Sequence, residues 1–128
     1  MPDHNKIKVL IVDDEIAITK ALSLKLAKEN FEVVVAHNGQ EGVELAQKER
    51  PDVILMDIIM PKLDGLSAAK QIRNIKGWGE DVPIIMLTNL GDPENVAEAG
   101  KFGIFDYLVK TDWKLDDVVK FIYSKVGQ

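Results

Sequence analysis

Five short apolar runs alternate along the chain with segments that carry apolar residues at helical spacing, and this alternation limits the possible folds more than any other feature. The runs are rich in Val, Ile and Leu, and most lack an apolar/polar alternation, as is typical of parallel strands covered on both faces. Strands are predicted over residues 7–12, 33–36, 53–56, 84–87 and 105–109. Helices are predicted over about residues 15–29, 40–49, 66–74 and 92–100, and from residue 115 nearly to the C-terminus.

The fivefold alternation of strand and helix calls for a parallel sheet whose strands are joined by right-handed crossover connections. We therefore predict a doubly wound α/β fold, with helices on both faces of a five-stranded sheet in the flavodoxin-like order 2-1-3-4-5. With 128 residues, the chain has the size of one domain and can bury roughly two-thirds of the surface of its unfolded form. The prediction is a single domain over residues 1–128, in which residues 1–5 form a loose polar arm.

The charge balance and the composition exclude several classes of partner and chemistry. The chain has 16 basic and 21 acidic residues and a net charge of -5, which leaves no broad cationic surface for a nucleic acid or an anionic membrane. It has no cysteine, so disulfides and thiolate chemistry are excluded. No apolar run approaches the length of a signal peptide or a membrane span. We expect a cytoplasmic protein without nucleic-acid or membrane partners.

Polar side chains follow four of the five predicted strands: Asp13 and Asp14, Asp57, Thr88 and Lys110. Because the carboxyl ends of parallel strands meet at one edge of the sheet, these side chains are expected to converge in one crevice. Carboxylates that close repel one another by roughly 4 kcal/mol per pair at about 4 Å and an effective dielectric constant of about 20. Mg²⁺ would offset this repulsion, and the ammonium and hydroxyl groups would bind phosphate. A carboxylate in such a site can attack phosphorus to form an aspartyl phosphate.

Several segments of the sequence together resemble the receiver domains of response regulators, the phosphate-accepting switches of two-component signalling. Each segment is weakly specific alone, but their order and their spread over nearly the whole chain make the combination highly specific. The segments are Val12-Asp13-Asp14-Glu15, Leu55-Met56-Asp57, Met60-Pro61-Lys62-Leu63-Asp64-Gly65, Leu87-Thr88 and Asp106-Tyr107-Leu108-Val109-Lys110.

The resemblance implies a role for each acidic residue of the crevice. Asp57 would accept the phosphoryl group from a phosphohistidine on a sensor histidine kinase or a histidine phosphotransfer protein. Asp14 and Asp57 would bind Mg²⁺ directly, Asp13 would bind it through water, and the backbone carbonyl of Ile59 would complete the metal site. The chain would then catalyse only its own phosphorylation and dephosphorylation and would not act as an enzyme on other substrates.

The same resemblance implies how the signal leaves the site. Thr88 and Lys110 would bind phosphoryl oxygens, and Tyr107 would turn inward upon activation. The surface that changes, here called the output surface, would comprise the fourth predicted helix, the fifth strand and the fifth predicted helix, at about residues 92–126. It would act on an unknown downstream protein, and a homodimer through this surface is one alternative.

Each of these residues also has an ordinary structural interpretation. Asp13 and Asp14 could cap the first helix, since aspartate is a favoured N-cap. Asp57 could be a turn residue and Lys110 a solvated lysine, while Thr88 and Tyr107 could be plain strand residues. The convergence of all of them at one sheet edge favours the functional interpretation over these alternatives.

Two apolar residues, Ile16 and Trp113, could lie at the rim of the site and bind a partner, although Trp113 could equally pack under the last helix. Three positions differ from the pattern of the family. Thr111 replaces the usual proline after Lys110, Asn89 replaces a small residue, and Ile59 replaces a frequently polar one. The path of the loop after residue 110 and the lifetime of the phosphoryl group are therefore open.

Three other functions are alternatives. A phosphohydrolase of the haloacid dehalogenase type needs a second aspartate two residues after its nucleophile, where this chain has Ile59. A flavodoxin-like cofactor carrier needs a phosphate-binding loop after the first strand, where the residues Asp13 and Asp14 would repel phosphate. A degenerate receiver that binds partners without phosphate is the third alternative, and the complete set of site residues argues against it.

Overall fold

The computed structural model describes residues 6–58, 60, 62–88, 97–98, 100–101, 103–104, 106–109 and 114–126. The strands are β1 (Lys8–Val12), β2 (Glu32–Ala36), β3 (Val53–Asp57), β4 (Ile84–Thr88) and β5 (Asp106–Val109). Five helices have both ends within these residues: α1 (Ile16–Lys28), α2 (Gly39–Glu49), α3 (Gly65–Arg73), α4 (Trp78–Asp81) and α5 (Leu115–Lys125). Residues 97, 98 and 100 are also helical. They belong to the predicted helix over residues 92–100, most of which lies outside the described residues, as does the predicted arm over residues 1–5.

The five strands form one parallel sheet in the order β2-β1-β3-β4-β5, which confirms the predicted fold class and strand order. At the carboxyl edge, Val12 pairs with both Ala36 and Met56. One step further along β3, Asp57 pairs with Leu87. The residues that directly follow β1 therefore lie beside the end of β3.

Apolar side chains from successive strand residues point to opposite faces of the sheet and form two cores. On one face, Leu10, Ile54 and Met86 are buried against residues of α2 and α3. On the other face, Ile11 and Leu55 are buried with residues of α1 and α5. The central strands are thus apolar on both sides, which is why their sequences lack an alternating pattern.

The helix starts follow ordinary capping chemistry. The side chain of Asn38 accepts a hydrogen bond from the amide of Glu41 at the start of α2, at 2.8 Å. Asp64 accepts one from the amide of Ser67 at the start of α3, also at 2.8 Å. These caps satisfy amide groups that have no partner within the helix.

The short helix α4 was not predicted from the sequence. Four residues are too few to show a helical period, and the flanking Gly77-Trp78-Gly79 segment has the composition of a loop. The helix forms because Glu80 accepts a hydrogen bond from the amide of Gly77 at 2.9 Å. In addition, the guanidinium of Arg73 donates to the carbonyl oxygen of Gly79 at 2.9 Å. Within the described ranges, no helix has both the length and the apolar character required to cross a membrane.

Candidate metal centre

Three carboxylates lie together at the carboxyl edge of the sheet. Asp13 and Asp14 directly follow β1, and Asp57 is the last residue of β3. One carboxylate oxygen from each residue lies within 4.8 Å of those of the other two. Asp13 and Asp57 are buried, with 0% and 3% exposure, whereas Asp14 is exposed. The predicted convergence of these three residues is therefore confirmed.

The backbone after β1 places Asp13 firmly at this edge. Its amide donates to the carbonyl oxygen of Ala36 at 3.1 Å, which extends the pairing of β1 with β2 by one residue. Its carboxylate accepts a hydrogen bond from the amide of Glu15 at 2.9 Å. Glu15 is the N-cap of α1 and makes no side-chain capping bond. The N-cap residue of α1 is therefore neither Asp13 nor Asp14, although the Asp13 carboxylate contacts the start of this helix.

The loop between β3 and α3 is held close to Asp57. The amide of Gly65 donates to the carbonyl oxygen of Ile58 at 2.7 Å. A Cβ atom at Gly65 would clash with the carbonyl oxygen of Asp57. Glycine is therefore required where α3 passes the end of β3.

The carboxylate cluster has the chemistry of a site for a hard divalent cation. Its three side chains offer only oxygen ligands, and two of them are withdrawn from water, where an unbalanced negative charge is costly. Mg²⁺ prefers a site with few protein carboxylates and retains several water molecules, which an exposed residue such as Asp14 permits. Among the described residues, no other group of three or more acidic or histidine side chains has this spacing. The residues present therefore fit a Mg²⁺ ion.

The other residues predicted for the site are only partly within the described structure. Thr88 ends β4 and its backbone pairs with Val109. Tyr107 lies on β5 with a 45% exposed side chain, and Ile16 is the first residue of α1 and 58% exposed. Residues 59, 89, 110, 111 and 113, on which several predictions fall, lie outside the described residues.

One residue near the site was missed by the sequence interpretation. Gly39, the first residue of α2, packs directly against the backbone of Leu63 in the loop between β3 and α3. The sequence did contain a sign of it: a glycine directly after the capping residue Asn38 leaves the first position of the helix without a side chain, where another segment can approach. The contact itself joins residues that are distant in sequence and could not be read from it.

Comparison with known proteins agrees with this geometry. The family model described as response regulator receiver domain matches residues 9–122. The chemotaxis protein CheY4 of Vibrio cholerae is 34% identical with a TM-score of 0.86, covering 94% of this chain and 98% of that one. The receiver domain of sensor histidine kinase PA1611 of Pseudomonas aeruginosa PAO1 is 29% identical with a TM-score of 0.86, covering 96% and 99%. That structure has a magnesium ion coordinated in the active site cleft.

Two curated relatives are longer proteins. The probable transcriptional regulator ycf27 of Guillardia theta is 47% identical over 107 residues, covering 84% of this chain and 41% of its own length. The transcriptional regulatory protein SrrA of Staphylococcus aureus is 42% identical over 103 residues, covering 80% and 41%. The chain thus spans less than half the length of these relatives.

Proposed function

Because the chain belongs to the response regulator receiver domain family, we propose that it is a phospho-accepting switch in which Asp57 takes a phosphoryl group from a phosphohistidine. The donor is a sensor histidine kinase or a histidine phosphotransfer protein. The observation that supports this most directly is the cluster of Asp13, Asp14 and Asp57, whose carboxylate oxygens lie within 4.8 Å of one another. We also propose that residues 1–128 form one receiver domain.

In the proposed reaction, a carboxylate oxygen of Asp57 attacks phosphorus and forms an acyl phosphate. The bond from phosphorus to the donor imidazole breaks, and the imidazole leaves with its electron pair. Asp14 and Asp57 would hold Mg²⁺ directly, Asp13 would hold it through water, and the backbone carbonyl of Ile59 would be a further ligand. Bound Mg²⁺ supplies positive charge for the phosphoryl oxygens. The side chains of Thr88 and Lys110 bind the same oxygens.

The proposed signal passes from β4 to β5. The two strands are paired, with Met86 opposite Tyr107 and Thr88 opposite Val109. The side chain of Tyr107 is exposed, so its ring can still turn inward from the solvent. This position fits the state before phosphorylation. Phosphorylation draws Thr88 towards Asp57, Tyr107 turns inward, and the output surface changes for a downstream protein.

The donor protein is proposed to bind along α1. Ile16 and Leu24 are large apolar side chains with 58% and 66% exposure. They are spaced with Lys20 at intervals of four residues, which places all three on one side of the helix. Ile16 lies two residues from Asp14, so a helical partner on this side of α1 can bring its phosphohistidine to the cluster. Trp113 is a second proposed contact of the donor.

The alternatives receive less support. A phosphohydrolase of the haloacid dehalogenase type lacks its general acid, because the second residue after Asp57 is isoleucine. A degenerate receiver has no need to keep two buried carboxylates beside a third one, since burying unbalanced charge destabilises the fold.

The test is intact-mass measurement after incubation with acetyl phosphate or phosphoramidate, with and without Mg²⁺. We expect one phosphoryl group to be added only with Mg²⁺, and Asp57→Asn to abolish the adduct because the nucleophilic oxygen is lost. Asp52→Asn is a matched control, since Asp52 precedes the same strand at the opposite edge. If Asp57→Asn is phosphorylated as fast as the wild type, the assignment of the nucleophile is wrong.

A further inference from the structure

The amino end of α2 lies directly against the loop that follows Asp57. Gly39 is the first residue of α2 and is buried. A Cβ atom at Gly39 would clash with the carbonyl oxygen of Leu63 and would lie 2.7 Å from its carbonyl carbon. Both are backbone atoms of the loop between β3 and α3, so no side-chain rotation can relieve the clash. Any side chain at Gly39 must therefore displace either α2 or this loop.

The start of α2 is the more firmly held of the two. Asn38 accepts a hydrogen bond from the amide of Glu41 at 2.8 Å, and the carboxylate of Glu41 accepts one from the amide of His37 at 3.0 Å. Directly before His37, the carbonyl oxygen of Ala36 accepts from the amide of Asp13 at 3.1 Å. These bonds connect the start of α2 to β2 and to the end of β1, so a clash at the helix start is expected to move the loop.

The loop cannot absorb that displacement freely. Lys62 has a φ of 68°, in the left-handed region that residues other than glycine rarely adopt. Such a backbone conformation persists only when neighbouring contacts hold it. Next to it, Leu63 packs on Gly39. Directly after the loop, Gly65, the first residue of α3, lies so close to β3 that a Cβ atom would clash with the carbonyl oxygen of Asp57. Leu63 is thus in contact with α2, and Gly65 with the backbone of Asp57, so we expect a shift at Leu63 to be passed to Asp57.

We propose that Gly39 is a positioning residue for the cation site. Because it has no side chain, the carbonyl group of Leu63 packs directly on α2, which fixes the loop and the position of Asp57 relative to Asp13 and Asp14. This inference rests on the proposed Mg²⁺ site and deepens it. Since coupling between two sites is reciprocal, cation binding at the carboxylates must in turn restrict the start of α2.

The test compares Mg²⁺ binding by the full chain and by Gly39→Ala, followed by NMR through the backbone amides of Asp13, Asp14 and Asp57. We expect the substitution to weaken Mg²⁺ binding by roughly tenfold or more, which is the typical loss of affinity when a group that orients the metal ligands is removed. Gly79→Ala is the matched control. Its Cβ atom would also clash with a backbone carbonyl oxygen, that of Ile72, but at the opposite edge of the sheet. It should lower the melting temperature and leave Mg²⁺ affinity unchanged.

Equal Mg²⁺ affinity of Gly39→Ala and the wild type overturns the inference. Absence of any saturable shift at the three aspartates of the wild type instead contradicts the proposed function. If Gly39→Ala does not fold, the wild type alone decides. In the wild type, the amide signals of Gly39, Glu41 and Leu63 should shift during the Mg²⁺ titration with the same midpoint as the signal of Asp57. If these three signals do not shift, the inference is overturned.

Discussion

Asp13 and Asp57 are buried carboxylates at the ends of two paired strands, in a sheet whose other central residues are apolar. Withdrawing a carboxylate from water is costly unless hydrogen bonds or an opposite charge balance it. For Asp13, the amide of Glu15 supplies one such hydrogen bond. The exposed Asp14 adds a third carboxylate, with an oxygen within 4.8 Å of those of the two buried residues.

This crowding predicts that removing one carboxylate stabilises the protein when no divalent cation is present. Asp14→Asn keeps the size of the side chain. Because Asp14 is exposed, the repulsion removed is closer to the value for a pair in water, on the order of 1 kcal/mol, than to that for a buried pair. We expect the variant to melt above the wild type in EDTA, whereas Mg²⁺ should raise the melting temperature of the wild type more. Glu44→Gln, on the exposed side of α2, is the control for loss of a charge elsewhere. Identical melting of all three proteins, with and without Mg²⁺, would contradict a shared acidic site.

At the scale of the elements, the strands were predictable to within one residue because their apolar runs have clear ends. The carboxylates were predictable with them, since Asp13, Asp14 and Asp57 are fixed by where two of those runs stop. Contacts between distant residues were not predictable. The indole N–H of Trp78 donates to the carbonyl oxygen of Pro51 at 3.0 Å, and nothing in the local sequence of either residue indicates this bond.

The helix α4 depends on Arg73, whose half-buried guanidinium donates to the carbonyl oxygens of Gly79 and Val82 at 2.9 and 2.8 Å. Burial lowers the pKa of this guanidinium, and the charge of Asp81 acts in the opposite direction. The group nevertheless stays protonated at ordinary pH. Arg73→Met leaves these carbonyl groups without their charged donor and should cost about 2 kcal/mol of unfolding free energy.

Urea denaturation measures this loss, and amide hydrogen exchange should locate it at residues 78–82. Lys70→Met removes a cation from the exposed side of α3, the helix that also carries Arg73. This variant should have nearly the same unfolding free energy as the wild type. Equal stability of the Arg73 and Lys70 variants would show that the two carbonyl contacts do not hold α4.

At the scale of the whole molecule, the two edges of the sheet differ in character. The amino edge is closed by polar contacts that join neighbouring elements, such as the ammonium of Lys8 with the carboxylate of Glu49 at 3.2 Å. The carboxyl edge concentrates like charges and a confined loop instead. If the proposed cation or phosphoryl group binds one arrangement of this edge more tightly than another, its binding shifts the population towards that arrangement.

In the proposed switch, the change reaches the surface through β5 and α5, which the ion pair between Asp106 and Lys125 links at 2.7 Å. Beryllofluoride with Mg²⁺ mimics the phosphoryl group, and we expect it to change amide shifts at Tyr107 and along α5 as well as at Asp57. A complete switch, from 1:99 to 99:1, requires a differential affinity of about 5.5 kcal/mol, and a smaller shift suffices for signalling. Thr88→Ala should retain the changes at Asp57 and lose those on β5 and α5, because the proposed coupling runs through the Thr88 hydroxyl. If the distant shifts survive in Thr88→Ala, or never occur in the wild type, the proposed switch is wrong even where phosphorylation takes place.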